Sequence, residues 1–251
     1  MSRWISYCLV LGWMLAASPL QAAIVNTLRG FSGSEPGWSG GVSGSHGAAG
    51  GNTEETQITA AAQVQWQGQD QMVRLIGSGK RSSSKGVETA RALTGHLRHN
   101  YRLGGQFSTL AFFQIQENPF QLLKSRTLLG LGGRFDAVAR KDFSLALGAA
   151  HMLESERLEG MGGHESYQRL SVFVSLVKEL KEGVSVDAVV FYQPLWSEFD
   201  DWRSFAKTDL KVALAGTLTI FTGIQVEHDS RPAEGVEQTD WQTTTGFSAS
   251  F

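Results

Sequence analysis

Cysteine is almost absent: Cys8 is the only one in 251 residues. Thiolate zinc sites, a cysteine nucleophile and a disulfide framework are thereby excluded. Proline is scarce, at five residues, and neither charge dominates, with 22 Lys and Arg against 24 Asp and Glu. A net charge of −2 supplies no basic field for nucleic acid. Past the N-terminal stretch no apolar run reaches the ~20 residues a membrane helix needs. Glycine is what the chain has in excess, at 29 residues. That favours tight turns and crowded strands over long helices.

The N-terminus reads as an export signal. Arg3 supplies the positive flank, an apolar run follows from Ile5 to Ala17, and Ser18-Pro19-Leu20-Gln21-Ala22 closes it with small residues. The layout predicts a Sec signal peptide over 1–22, cleaved after Ala22, and export leaves no cysteine in the mature chain. The run is too short for a membrane anchor. If the mature chain enters a membrane, it must do so as a closed β-barrel, because only helices and barrels satisfy every backbone group in lipid.

The remaining pattern has period two. Leu218, Ile220, Thr222, Ile224 and Val226 alternate with smaller or polar residues, and so do Phe143, Leu145 and Leu147. Alternating segments fall near 37–46, 53–67, 71–80, 89–102, 106–117, 125–138, 142–154, 165–180, 184–194, 202–214, 218–229 and 239–251. Most reach the about 9–11 residues of a tilted membrane strand. Tight turns at 68–70, 103–105, 139–141, 181–183 and 215–217 alternate with longer polar loops at 47–52, 81–88, 118–124, 155–164, 195–201 and 230–238. Short periplasmic turns facing longer external loops are the outer-membrane layout. The prediction is an all-β, up-and-down antiparallel transmembrane barrel of about 12 strands over 37–251, preceded by a short periplasmic segment, 23–36.

Large aromatics gather at strand ends. Trp66, Tyr101, Phe107, Phe135, Phe143 and Phe251 fall at the short-turn ends, and Tyr167, Tyr192, Trp196, Trp202 and Trp241 at the long-loop ends. Amphipathic rings favour the headgroup level, so two girdles are expected. A soluble sandwich explains the alternation equally well, but not the aromatic rims.

Three stretches carry a family resemblance. Near the C-terminus, Pro232-Ala233-Glu234-Gly235-Val236 precedes Thr239-Asp240 and a final strand ending in Phe251. Trp38-Ser39-Gly40 precedes Gly51-Asn52-Thr53, and Arg126-Thr127-Leu128-Leu129-Gly130-Leu131-Gly132 forms a Gly-x-Gly strand. From Trp38 to Phe251 the chain resembles the YdiY-like family of salt-induced outer-membrane proteins, a domain of unknown function. The resemblance implies a barrel in the bacterial outer membrane and carries over no catalytic residue.

With the apolar face outward, the interior is expected to hold Arg91, Arg98, Arg126, Arg134, Arg169, Lys207 and Lys211, with Asp136, Asp187, Asp209 and Glu227. Mixed signs suggest ion pairs that plug the lumen, or else line a narrow channel, since about twelve strands lie between a filled and an open barrel. His96 and His99 are three apart and sit on opposite faces of a strand, so they cannot chelate together. His151, Glu154 and Ser155 are the nearest imitation of a lipid-directed hydrolase, with nothing to form an oxyanion hole. No catalytic residue, metal site or cofactor is expected. The expected role is structural or stress-related, in a monomer. Trp241, Phe247 and Phe251 share one face of the last strand and read as an assembly signal for the barrel assembly machinery. The expected partners in place are outer-membrane lipids and lipopolysaccharide, met by Arg81, Lys85 and the acidic loop residues Glu154, Glu156, Glu159, Glu165, Glu198, Asp200 and Asp201.

Overall fold

A computed structural model describes residues 36–49, 55–160 and 163–251. The predicted signal peptide, 1–22, and residues 23–35 lie outside that range. Twelve strands follow one another among the described residues: β1 (Gly37–Ala49), β2 (Glu55–Gln67), β3 (Gln71–Ser84), β4 (Val87–Gly104), β5 (Phe107–Asn118), β6 (Leu123–Ala139), β7 (Phe143–Leu158), β8 (Glu165–Lys181), β9 (Val184–Leu195), β10 (Glu198–Ala215), β11 (Leu218–Asp229) and β12 (Thr239–Ser250). Each pairs antiparallel with its neighbours in the chain, and β12 returns to β1 to close the barrel. Closure leaves no edge strand with unpaired backbone groups.

The closing seam runs from Gly44↔Phe247 to Gly41↔Ser250. Beyond it, Gly40 and Phe251 exchange both backbone hydrogen bonds at 3.0 Å. The last residue of the chain is therefore a paired member of the sheet.

The strands are longer at their loop ends than the sequence pattern indicates. The expected loop at 81–88 is a two-residue turn, with Lys85 at φ 49° and Gly86 at φ 77°. Two successive positive φ values match the right-handed twist of a tight hairpin. The expected loop at 155–164 starts later, because β7 continues to Leu158, and that at 195–201 shrinks to Trp196 and Ser197. Polar residues extend these strands past the apolar band, which makes them read as loops. The 230–238 loop is as expected.

Alternation is inside-out. On β7, Ala146, Ala150, Met152 and Glu154 are buried, while Leu147 and Leu153 are exposed. Leu93, Leu97, Leu129, Leu131, Val174, Val190 and Ile224 also stand exposed on the outer face. A soluble sandwich would bury such a belt rather than wrap itself in it. No helix among the described residues is long and apolar enough to cross a membrane, so any crossing is by strands.

The turn end of the barrel carries exposed Trp38, Trp66, Tyr101 and Phe107, with Phe135 4.8 Å from Phe107. The loop end carries exposed Tyr192, Trp196 and Trp241, with Trp202 5.6 Å from Tyr192. Tyr167 is a correction to that girdle. It shares the inward parity of Arg169, and its ring lies 5.8 Å from that guanidinium, so it belongs to the lumen mouth.

Candidate functional site: the barrel lumen

Inward side chains fill one wall of the lumen in layers. Nearest the loops, three arginines from different strands converge on Glu154 of β7, whose side chain is fully buried. Arg126 Nε of β6 lies 2.5 Å from Glu154 Oε1, and Arg169 Nε of β8 lies 2.8 Å from Oε2. Arg203 of β10 donates through Nη1 to Oε1. Arg203 also reaches Asp229 Oδ2 at 2.7 Å and Glu156 Oε2 at 3.2 Å, while Arg169 reaches Asp201 Oδ1 at 2.8 Å. The network ties β6, β7, β8, β10 and β11 together. Buried charges persist only when paired and hydrogen-bonded; Arg169 and Arg203 donate to carboxylates, and Arg126 is ion-paired with Glu154 and donates to Gln116 Oε1.

Below the network lies an apolar belt made of Leu110, Phe173, Val189, Phe191 and Phe205, with Phe112 against it. Phe173 and Phe191 pack at a tilt of 40° with ring centroids 5.3 Å apart, and Arg98 sits 5.5 Å over Phe173. Glycines make room for the rings. A Cβ on Gly130 would lie 2.1 Å from Phe112, and one on Gly148 would lie 2.1 Å from Phe173. The cavity between His96, Arg98, Phe112, Phe173, Phe191 and Gln193 measures about 30 Å³. That is space for one or two waters.

Towards the turn end, Arg98 Nε donates to Asn100 Oδ1 at 3.0 Å, and Arg134 Nε to Asp136 Oδ1 at 2.9 Å. Lys211 pairs with Asp187, and Lys207 Nζ lies 3.3 Å from Asp209 Oδ2.

The opposite wall is built differently. It also carries inward charges, Glu55 on β2, Arg74 and Lys80 on β3, Glu227 and Asp229 on β11 and Asp240 on β12, of which Arg74, Glu227, Asp229 and Asp240 are buried, but between them its inward residues are small or uncharged: Ser43 and Ser45 on β1, Thr59, Ala61 and Gln63 on β2, Ile76 and Ser78 on β3, Thr219 on β11, and Thr244 and Ser248 on β12. All ten of these keep some exposure, and Gln63 is exposed. Facing them, Arg126, Leu128, Arg134, Arg169, Ser171, Phe173, Ser175, Asp187, Val189, Phe191 and Gln193 are all buried. The wall from β5 to β10 is thus dry and packed, and the wall from β11 round to β3 is wet between its buried charges.

Of the charges expected inside, Arg98, Arg126, Arg134, Asp136, Arg169, Asp187, Asp209 and Glu227 are buried and inward, and Lys207 and Lys211 are partly buried and inward. Arg91 is the exception, exposed on the outer parity with Leu93 and Leu97. It stands seven residues from Arg98, and an odd separation on one strand reverses the face. Glu154 and Glu156, read from sequence as loop carboxylates, are interior groups. Arg203, Lys80 and Asp240 also point inward and were missed, although parity alone places Arg203 with Lys207 and Asp209.

Trp241, Phe247 and Phe251 all stand exposed on the outer face. The hydrolase imitation is dispersed: Glu154 points inward, whereas His151 and Ser155 have outward parity and stand about 13 Å apart along the strand. His96 is buried in the lumen, 2.8 Å from Gln114, and His99 has the opposite parity. No cluster of three or more His, Cys, Asp or Glu that could hold a metal exists among the described residues.

An even number of antiparallel strands, an apolar outer belt and a charged interior define a transmembrane β-barrel of the outer-membrane kind. Within that class, the chain belongs to the family described as "Protein of unknown function, DUF481", which matches residues 45–251. No curated protein matches the sequence. Among solved structures, the NanC porin is similar with a TM-score of 0.51 at 8% identity, covering 84% of this chain and 98% of that one. The COG4313 outer membrane channel from Pseudomonas putida F1 is similar with a TM-score of 0.53 at 12% identity, covering 88% and 98%. At these identities the likeness is one of fold.

Proposed function

We propose that the protein is a non-catalytic outer-membrane barrel with a narrow, one-sided aqueous path for ions and small solutes. The observation that carries this is the wet wall. Its small inward side chains keep contact with solvent from Ser45 near the loops to Gln63 and Ser248 near the turns, while the packed wall opposite fills the rest of the lumen. A twelve-stranded barrel filled from one side leaves a slot rather than a wide pore. The two similar structures are a porin and an outer membrane channel by name, which agrees with this reading. Export would follow the signal read at 1–22, the short turns would face the periplasm, and assembly would use the C-terminal strand. Exposed Arg81 and Lys85 would meet lipopolysaccharide phosphates.

The test is conductance of refolded, purified protein in a planar bilayer. The expected result is small discrete current steps, with swelling of proteoliposomes in small solutes and none in oligosaccharides. Absence of steps from folded protein would overturn the path.

A purely structural, stress-related envelope role is the second reading, and the buried cage around Glu154 favours it. In that case removal of the protein would weaken the envelope under high salt with no change in solute uptake.

A further inference from the structure

Resting on the reading of the lumen as a narrow path, we propose that Lys80 gates it by reaching across the wet wall to Gln242. In the closed sheet, β1 and β2 stand between β3 and β12. Lys80 Nζ of β3 nevertheless donates to Gln242 Oε1 of β12 at 2.9 Å. The contact is a chord across the concave floor formed by β1 and β2, where small residues such as Ser45 and Thr59 leave the space it spans. Gln242 is held for the purpose, since its Nε2 donates to Thr244 Oγ1 at 2.8 Å.

The bridge is charged on one side only. Lys80 forms no ion pair within 4.0 Å among the described residues and rests on a neutral amide. Two carboxylates lie near this level, Glu227 and Asp240, directly opposed in the β11–β12 register and both buried. They too have neutral partners: Gln225 Nε2 donates to Glu227 Oε1 at 2.6 Å, and Gln121 Nε2 to Asp240 Oδ2 at 3.5 Å. Glu55 on β2 shares the inward parity at the loop end. A lysine on a neutral partner can exchange that contact for water, and its flexible four-carbon stem can swing aside. Closed, the bridge obstructs the slot. Open, it leaves carboxylates lining the passage, which favours cations.

The experiment compares Lys80→Ala, Gln242→Ala and the parent in planar bilayers under a potassium chloride gradient, each first shown to be folded by heat-modifiable mobility. Both variants are expected to raise the unit conductance about twofold or more. Lys80→Ala alone is expected to move the reversal potential further toward cation preference, because Gln242→Ala keeps the ammonium. Unit conductance equal to the parent in both folded variants overturns the gate while leaving the path. A rise in Lys80→Ala without one in Gln242→Ala overturns the bridge as the barrier. No conductance from any of the three overturns the path itself, and the gate with it.

Discussion

The ring of Phe251 occupies the space that a side chain on Gly40 would need. A Cβ on Gly40 would stand 2.5 Å from Phe251 Cζ and 2.8 Å from the Gln63 carbonyl oxygen. The same two residues exchange the backbone pair that ends the closing seam. The seam therefore depends on an aromatic terminus on one strand and the absence of a side chain on the other. Deleting Phe251, or substituting Gly40→Val, is expected to lower membrane assembly sharply and leave protease-sensitive chain. Ser250→Ala, which keeps the backbone bond from Ser250 N to the Thr217 carbonyl at 3.2 Å, is expected to assemble normally. The heat-modifiable shift on a gel reads all three, and normal assembly without Phe251 would refute the closure role.

Glu154 is the second test. Glu154→Ala leaves the buried Arg126 without its carboxylate and takes one of two from Arg169, and breaking a buried pair costs about 3–5 kcal/mol. Glu198→Ala removes an exposed partner of Arg231, which is worth about 0–1 kcal/mol. Urea unfolding in detergent should separate the two clearly. Equal midpoints would mean that the cage is not holding the wall.

The outer face gives a third. Leu147 is exposed on the face away from the lumen and Ala146 is buried beside it. Leu147→Arg puts a charge into the lipid belt and is expected to cost about 2–4 kcal/mol. Ala146→Ser adds a hydroxyl to a polar interior and should be mild. Equal loss in refolding would show that the faces are assigned the wrong way round.

Orientation is checked by tags. One inserted at Gly160, in the β7–β8 loop, is expected to be reached by antibody on intact cells. One at Glu182, in the tight β8–β9 turn, is expected to be shielded. The reverse pattern would place the short turns outside.

The faces and the strand count were legible because parity is a local property. Leu218 to Val226 states its own outward face, and Arg126, Arg134 and Asp136 share an even spacing that puts them together inside. Strand ends were less legible: Ser155 to Leu158 and Ser82 to Ser84 are polar, and beyond the lipid belt a polar strand has the same composition as a loop. Partners were not legible at all. Nothing local tells Glu154 that it faces Arg169 of β8 and Arg203 of β10, because that depends on register and on which residues share a height in the closed barrel. The same holds for Lys80 and Gln242, brought together across β1 and β2.

The central claim is that one wall of the lumen is wet and the other dry, and cysteine accessibility tests it most directly. In a Cys8→Ser background the chain has no other thiol, so each introduced cysteine reports alone. Ser43→Cys and Ser78→Cys place thiols on the wet wall, and Ser171→Cys and Ser175→Cys place them on the packed wall, where both serines are buried. With a small, charged, water-soluble thiol reagent on folded protein, the first two are expected to be modified readily and the last two to stay unmodified until the barrel is unfolded. Equal protection at all four positions, or equal modification, would contradict the account.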